Sequence, residues 1–405
     1  MNYNDNMAES YPQKWIWSCE QYPNFNFDID IFSNQIDRLE NTEKTLNTLI
    51  SQLNDKNITD IKINMLCDEI INTSLIEDKV LQRNSVRSSI RKKLDESFDA
   101  YADKHSTRES DNLVEVFLDA NNFVGDLNLE KLFGWHNALF GGIPYNGIYK
   151  IKLAEFRDGP VQVVSGVLGK EKVHYEGVPV KNINTDMEKM LEFYNHSSLH
   201  PYIKSAIIHL WFAVIHPFDD GNGRLARILA DSLLPKNDNS FAKFYTISTQ
   251  INKEKKLYYD ILEHTSSKIL NPNLEINDFI KWHLDILEKS FKHSIEIIKN
   301  TIIKTNFWDN FKNLNLNERQ KTAINKIFAN NCEQILDIKK YKKISKSSLE
   351  EAKTDLDELL HLGCLVKYNE KEKFVLNIER DKFCNTQQQK FRVNPRTGRR
   401  EIIER

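Results

Sequence analysis

Glycine and proline are scarce, 13 and 10 in 405 residues, so few positions interrupt a helix and long segments can run helically. Cysteine is scarcer still. Cys19, Cys67, Cys332, Cys364 and Cys384 lie far apart, are odd in number and include no Cys-x-x-Cys pair. That argues against a disulfide framework and structural zinc, and for a reducing compartment. No apolar run approaches the ~18–20 residues of a membrane helix, so no membrane partner is expected. The first twenty residues set Tyr11, Trp15 and Trp17 among acids and amides. They have neither the basic start nor the apolar middle of a secretion signal, and the expected location is cytoplasmic. An excess of one charge is also missing: the net charge is −2, so any attraction to nucleic acid must be a local patch. Three familiar nucleotide and metal signatures are absent as well: the Walker-type Gly-x-x-x-x-Gly-Lys-Ser/Thr, His-Glu-x-x-His, and the strand-linked Gly-rich Rossmann turn.

What remains is an ordinary soluble composition, 40% hydrophobic and 28% charged, on a chain long enough for two to four domains. The fold class read from it is mainly α. Apolar residues at i, i+3, i+4, i+7 spacing predict amphipathic helices over Phe32–Asn54 and Ile58–Leu94, then Leu113–Asn121 and Leu129–Leu139. Gly147–Val180 differs: Tyr149, Ile151, Val161, Val163, Val164, Val167, Val173 and Tyr175 recur between Gly, Pro and Asp clusters. That is a hairpin signature, with Leu168-Gly169-Lys170-Glu171 as its tip. Two strands alone are marginally stable, so such a flap in an α domain is expected to contact something. Helices resume at Asn184–Asn195 and run to about Lys299, and a composition break near Lys304–Leu316 reads as a hinge. Asn317–Ala329, Ile338–Ile344 and Ser348–Leu362 then read as three short helices, the last with a buried stripe of Leu349, Ala352, Leu356, Leu359 and Leu360. Two β-like runs follow, Cys364–Tyr368 and Phe374–Asn377; three helices and a hairpin make the winged-helix pattern. From about Asp381 the chain is polar and basic and reads as a solvated end. Within it, Arg392-Val393-Asn394-Pro395-Arg396-Thr397-Gly398-Arg399 resembles the basic hairpin tip of HU-type DNA-binding proteins.

The run His216-Pro217-Phe218-Asp219-Asp220-Gly221-Asn222-Gly223-Arg224-Leu225-Ala226-Arg227 carries the chemistry. An apolar helix, Ala206–Ile215, leads into it, and a second, Leu225–Leu234, leaves it. Gly221 and Gly223 let the backbone approach a ligand closely, and the following helix offers unpaired N–H groups and a positive dipole end. That is a ready anion site. Arg224 and Arg227, spaced i, i+3, bring forked donors suited to phosphate oxygens. Asp220 among these positive groups is the natural Mg²⁺ ligand, since Mg²⁺ bridges one or two carboxylates to phosphate and water. His216 can accept a proton near neutral pH. A base beside a metal-bound phosphate suggests activation of a hydroxyl for attack on phosphorus.

These twelve residues resemble the Fic family motif, His-Pro-Phe-x-Asp/Glu-Gly-Asn-Gly-Arg-x-x-Arg, without a departure. Trp15-Ile16-Trp17, Tyr22-Pro23-Asn24-Phe25, Val86-Arg87-Ser88-Ser89-Ile90, Leu132-Phe133-Gly134-Trp135-His136 and Val163-Val164-Ser165-Gly166 are similar to further landmarks of one Fic subgroup. So are Phe244-Tyr245 and Tyr258-Tyr259, which fall where the family closes its nucleotide pocket. The resemblance implies a Fic-type helical core with a small β-hairpin flap, an N-terminal helical region and a C-terminal winged-helix domain. The corresponding division is 1–110 with an inhibitory helix near 70–92, a core over 111–300, a winged helix over 310–378 and a basic tail over 379–405. It also implies AMP transfer from ATP, with Mg²⁺, to a Tyr, Ser or Thr hydroxyl of a protein, including self-modification. His216 would be the base and Asp220 the metal ligand. Gly221, Asn222 and Gly223 would bind the α- and β-phosphates, Arg224 the β- and Arg227 the γ-phosphate, with Tyr258 and Tyr259 closing the pocket. The flap residues Val163, Val164, Ser165 and Gly166 would pair with target backbone.

The family's inhibitory pattern, Ser/Thr-x-x-x-Glu-Gly/Asn, is matched by Thr73-Ser74-Leu75-Ile76-Glu77-Asp78 except at Asp78. Glu77 would then pair with Arg227 and take the γ-phosphate's partner. In some relatives the same Glu supports AMP removal, so the reverse reaction is the alternative, and homodimers are common where such an inhibitor acts. A third reading is a winged-helix DNA-binding regulator with a nucleotide-sensing Fic core. Against it, the recognition helix carries Glu350, Glu351 and Asp355, which would face phosphate unfavourably.

Overall fold

A computed structural model describes residues 14–94, 105–145, 148–166, 172–234, 243–329, 335–368 and 373–378, together with the backbone of 391–393 and 400–402. Among these residues the chain forms fourteen α-helices and three two-stranded antiparallel sheets. It is mainly helical, as the shortage of Gly and Pro predicts. The chain divides into two units, Met1–Thr48 with Ile58–Ser294 and Leu49–Asn57 with Ile295–Arg405.

The N-terminal helices are α1 (Ser33–Ile50), α2 (Asp55–Ile76) and α3 (Arg83–Leu94), followed by α4 (Arg108–Asn122) and α5 (Leu129–Leu139). The stretch 70–92 is therefore not one helix. Its break has a local cause: Asp78 takes the left-handed conformation, φ +56°. The Lys79 N–H then reaches back to the Ser74 carbonyl at 2.9 Å and the Asp78 N–H to Leu75 at 3.1 Å. That pair of bonds is a Schellman ending, and it leaves Glu77 as the last residue before the reversal. Serine hydroxyls tie α3 to α4, with Ser85 and Ser89 both 2.8 Å from Ser110.

Strands β1 (Gln162–Ser165) and β2 (Lys172–Glu176) form the flap, in register Val163↔Tyr175 and Ser165↔Lys172 with a bulge between Val163 and Val164. The β signature expected over 147–180 thus condenses to two strands with four residue pairs, and the tip Leu168–Glu171 lies outside the described residues. The aromatic opening packs on the flap's base: Trp15 meets the Tyr175 ring edge-on at 5.2 Å, and the Trp17 indole donates to the Glu176 carbonyl at 2.9 Å.

Helices α6 (Ile183–His196), α7 (Pro201–Ile215), α8 (Asn222–Ser232), α9 (Ile247–Lys253), α10 (Lys255–Ser266) and α11 (Asn277–Phe311) complete the core. Pro201 opens α7 at the position where its missing N–H costs nothing, and His200 caps it by accepting the Tyr202 N–H at 3.2 Å. Helix α7 is buried almost all round, as a central core helix must be. The hinge expected near Lys304–Leu316 is displaced, because α11 continues to Phe311. Phe307 and Leu316 are both buried in the C-terminal core.

That core is built by α12 (Glu318–Ala329), α13 (Ile338–Ser345), α14 (Leu349–His361), β3 (Leu365–Lys367) and β4 (Phe374–Leu376), three helices and then a hairpin in the expected order. Ala323, Ile324, Ile327, Tyr341, Ala352, Leu356 and Leu359 fill it. Leu349 does not join the stripe; it is 52% exposed, since it starts the helix after the Ser348–Glu351 capping box. Asp355 does not face outward as the sequence suggests. It is buried, paired with Arg319 at 2.8 Å and bonded to Asn317 and Tyr341, so its charge is neutralised inside the domain. In the tail read as solvated, β5 (Phe391–Val393) pairs with β6 (Arg400–Ile402). The tip 394–399 and the rest of the tail lie outside the described residues.

Candidate active site

Helix α7 ends at His216, whose own backbone is left-handed, φ +51°, so the chain reverses at that residue. The His216 Nδ1 lies 3.1 Å from the Ala213 carbonyl. A carbonyl can only accept, so the proton sits on Nδ1 and Nε2 keeps its lone pair. Burial lowers the imidazole pKa to about 4, with Arg157 adding to the effect. The ring is therefore neutral at pH 7, the form a general base needs.

The turn after His216 is held from four sides. Phe218 is fully buried and stacks face to face on His136, ring centroids 4.0 Å apart. His136 accepts the Ala154 N–H on Nδ1 at 3.3 Å, so its Nε2–H donates to the Asp220 carbonyl at 3.2 Å. Asn222 closes the turn with both side-chain atoms, accepting the Phe218 N–H at 3.0 Å and donating to its carbonyl at 2.7 Å. Arg157 is buried and donates to the carbonyls of His216, Gly159 and Val178. Asn222 thus spends Oδ1 and one Nδ2 hydrogen on the turn. Gly221 is left-handed at φ +86° and caps α8, where the first N–H groups of the helix emerge.

Arg224 and Arg227 are both buried. The Arg224 guanidinium lies over the Phe140 ring at 5.2 Å and reaches Asp220 at 3.4 Å. Its Nε, like Arg227 Nη1, has no partner among the described residues. Buried guanidinium N–H groups without acceptors are costly, and phosphate oxygens are what would satisfy them. Asp220 Oδ1 accepts the Gly221 N–H, and Oδ2 faces Lys79 Nζ at 3.8 Å.

The end of α2 enters this space. Arg227 donates to the Thr73 hydroxyl at 2.8 Å, the Thr73 carbonyl at 3.0 Å and the Glu77 carboxylate at 2.7 Å. Glu77 also lies against Gly223, where an added Cβ would overlap its Oε1. A carboxylate therefore sits on the anion-binding end of α8. Sequence reasoning missed what anchors it. Glu69 accepts the Ser248 N–H at 2.9 Å and also its hydroxyl; Asn72 bonds Thr249 and Asn252. Along α10, Lys255 donates to the Leu75 carbonyl at 3.1 Å and to Asp78 at 2.6 Å, and Tyr259 donates to the Ile76 carbonyl at 2.9 Å. One stripe further, Glu263 holds His174 and Lys172 of the flap at 2.6 and 3.0 Å.

Tyr258 lies against Tyr259, ring centroids 5.2 Å apart, with Arg227 and Glu77 close enough to act on its hydroxyl. It is buried, stacked on Trp282 at 5.2 Å and bonded to His209 at 3.1 Å. In the flap, Val164, Ser165 and Gly166 are exposed and Val163 half-buried. Strand β1 has β2 on one edge and no third strand among the described residues.

Comparison with known proteins agrees with this geometry. Residues 126–234 match the Fic/DOC family model, and residues 15–95 match a domain of unknown function, DUF4172. A stretch of 34 residues is 59% identical to a probable protein adenylyltransferase of Aquifex aeolicus, spanning 8% of this chain and 11% of that relative's length. The fold is similar to the crystal structure of a Fic family protein from Desulfovibrio desulfuricans, at 16% identity and a TM-score of 0.52, covering 88% of this chain and 98% of that one. A Fic domain containing signaling protein from Bacteroides thetaiotaomicron aligns at 17% identity and a TM-score of 0.47, over 65% of this chain and 97% of its own. The turn and its two flanking helices lie inside residues 126–234, the segment that matches the Fic/DOC family model.

Proposed function

We propose that this chain is an autoinhibited protein adenylyltransferase that moves AMP from ATP to a Tyr, Ser or Thr hydroxyl of a protein, itself included. The observation that carries the reading is the Glu77–Arg227 pair at 2.7 Å, with the Glu77 carboxylate against Gly223. An acid on a buried arginine at a helix N-terminus occupies what a phosphate would otherwise fill.

With Glu77 withdrawn, the backbone N–H groups of 221–223 take the α- and β-phosphates, Arg224 the β- and Arg227 the γ-phosphate. His216 Nε2 accepts the target hydroxyl's proton as its oxygen bonds to the α-phosphorus. The bond from that phosphorus to the bridging oxygen breaks, and pyrophosphate leaves. The exposed edge of β1 supports presentation of the target as an added strand. Asp220, whose Oδ2 already faces a cation, would hold Mg²⁺. Bound there, Mg²⁺ would supply neutralisation of phosphate charge.

Incubation with labelled ATP and Mg²⁺ tests this. Glu77→Gly is expected to label itself roughly ten- to hundredfold more than wild type, the range that a charge-assisted pair of about 1.5–3 kcal/mol supports. His216→Ala in the Glu77→Gly background should label not at all. No label on Glu77→Gly, alone or with cell lysate, overturns the reading. Loss of a preformed AMP adduct with wild type but not with Glu77→Gly would assign the reverse reaction instead.

A further inference from the structure

The contact that the family pattern does not contain is Lys79. It lies one residue beyond Asp78 on the far side of the left-handed turn. Its backbone is fixed there by the bond from its N–H to Ser74, and its ammonium lies 5.9 Å from the Phe140 ring centroid and 3.8 Å from Asp220 Oδ2. Between the two, the Asp78 side chain is 90% exposed and turned to Lys255. The turn therefore delivers two opposite charges into one site: the Glu77 anion to Arg227 and the Lys79 cation to Asp220. A metal–nucleotide complex brings the same two charges to the same two partners. Phosphate belongs with Arg227 and a divalent cation with Asp220.

We infer that Glu77-Asp78-Lys79 is a charge replica of the metal–triphosphate group, in which Lys79 stands in for the metal at Asp220. This rests on the reading of Asp220 as the metal ligand. Two cations cannot share one carboxylate without repulsion, so metal entry requires Lys79 to move. The inhibitory segment then excludes the metal as well as the γ-phosphate, with two residues that serve separate partners. A neutral residue at 79 leaves the phosphate block in place and opens the metal site alone.

The test uses full-length protein with Glu77 intact and Mn²⁺ alone as the probe, followed by electron paramagnetic resonance titration. Lys79→Met keeps the side chain's length and removes its charge. It is expected to tighten Mn²⁺ binding about two- to fivefold, the range a partly exposed ion pair supports. Lys79→Arg should bind as wild type does, and Asp220→Asn should bind more weakly. If Lys79→Met leaves the affinity unchanged or weakens it while Asp220→Asn lowers it, the role of Lys79 is overturned and Asp220 keeps its reading. If Asp220→Asn changes nothing, or no variant binds Mn²⁺, both are overturned; labelling of Glu77→Gly with ATP judges the transferase reading separately.

Discussion

His136 is a residue whose importance comes from where its two nitrogens point. Nδ1 accepts from Ala154 and Nε2 donates to Asp220, while the ring face supports Phe218. Only the neutral ring can do both, and burial lowers its pKa to about 4. The unfolded chain, with an ordinary value near 6.5, takes up a proton first as pH falls. Stability is therefore full above pH 6.5 and declines from there toward pH 4, by about 3 kcal/mol from this one group. His283, lowered to about 3, and His209, also lowered, act in the same direction. His136→Gln removes one titrating group, so its urea midpoints at pH 7, 5.5 and 4.5 should fall less steeply than those of wild type. Parallel slopes would rule out His136 as a source. Neither His136 nor Arg157 could be assigned these roles from sequence. Arg157 is 59 residues from the His216 carbonyl it holds, and no local pattern marks a partner at such a distance. The run 216–227 was legible because base, carboxylate, glycines and arginines all fall within twelve positions of one another.

At the scale of elements, helical periodicity located α4, α5, α6, α12, α13 and α14 closely, since each buries one face. It failed where a backbone angle decides. The end of α2 depends on Asp78 at φ +56°, and the pattern's usual Gly or Asn at that place now has a physical reason. Those residues enter the left-handed region at least cost, with Asp next. Asp78→Gly removes the strain and is expected to raise the thermal midpoint modestly, by up to about 1 kcal/mol of stability. The exposed pair with Lys255 that it loses is worth little. Asp78→Val should lower it, because a β-branched residue resists positive φ. Hydrogen exchange over residues 70–79 would report the same order, slowest in Gly and fastest in Val. If Val is as slow as Gly, the turn is not what fixes Glu77.

For the whole molecule, the sequence placed three helices and a hairpin at the C-terminal end, and the backbone agrees, with a core of its own. The burial of Asp355 was not legible, because an acid on a helix looks solvated until Arg319 and Tyr341 are seen around it. Leu356 is fully buried in this core. Leu356→Ala should cost about 2–5 kcal/mol, read as faster hydrogen exchange throughout 318–376. Exchange confined to the immediate neighbours of residue 356 would mean these elements do not open together. Three cysteines, Cys19, Cys67 and Cys364, are free and buried; Cys332 and Cys384 lie outside the described residues.

Glu77 is part of the same chain as the arginine it pairs with. It follows α2 directly, and α2 is tethered to the same unit as Arg227 through Glu69, Asn72 and Thr73. An inhibitor attached to its own target acts at an effective concentration fixed by the tether, of millimolar order for short links. On the proposed reading, ATP would have to outcompete that local supply however little protein is present. The ratio of Glu77→Gly to wild-type labelling should then hold constant as the protein is diluted at fixed ATP. A ratio that shrinks on dilution would mean the brake is shared between two chains; a constant one means each molecule carries its own.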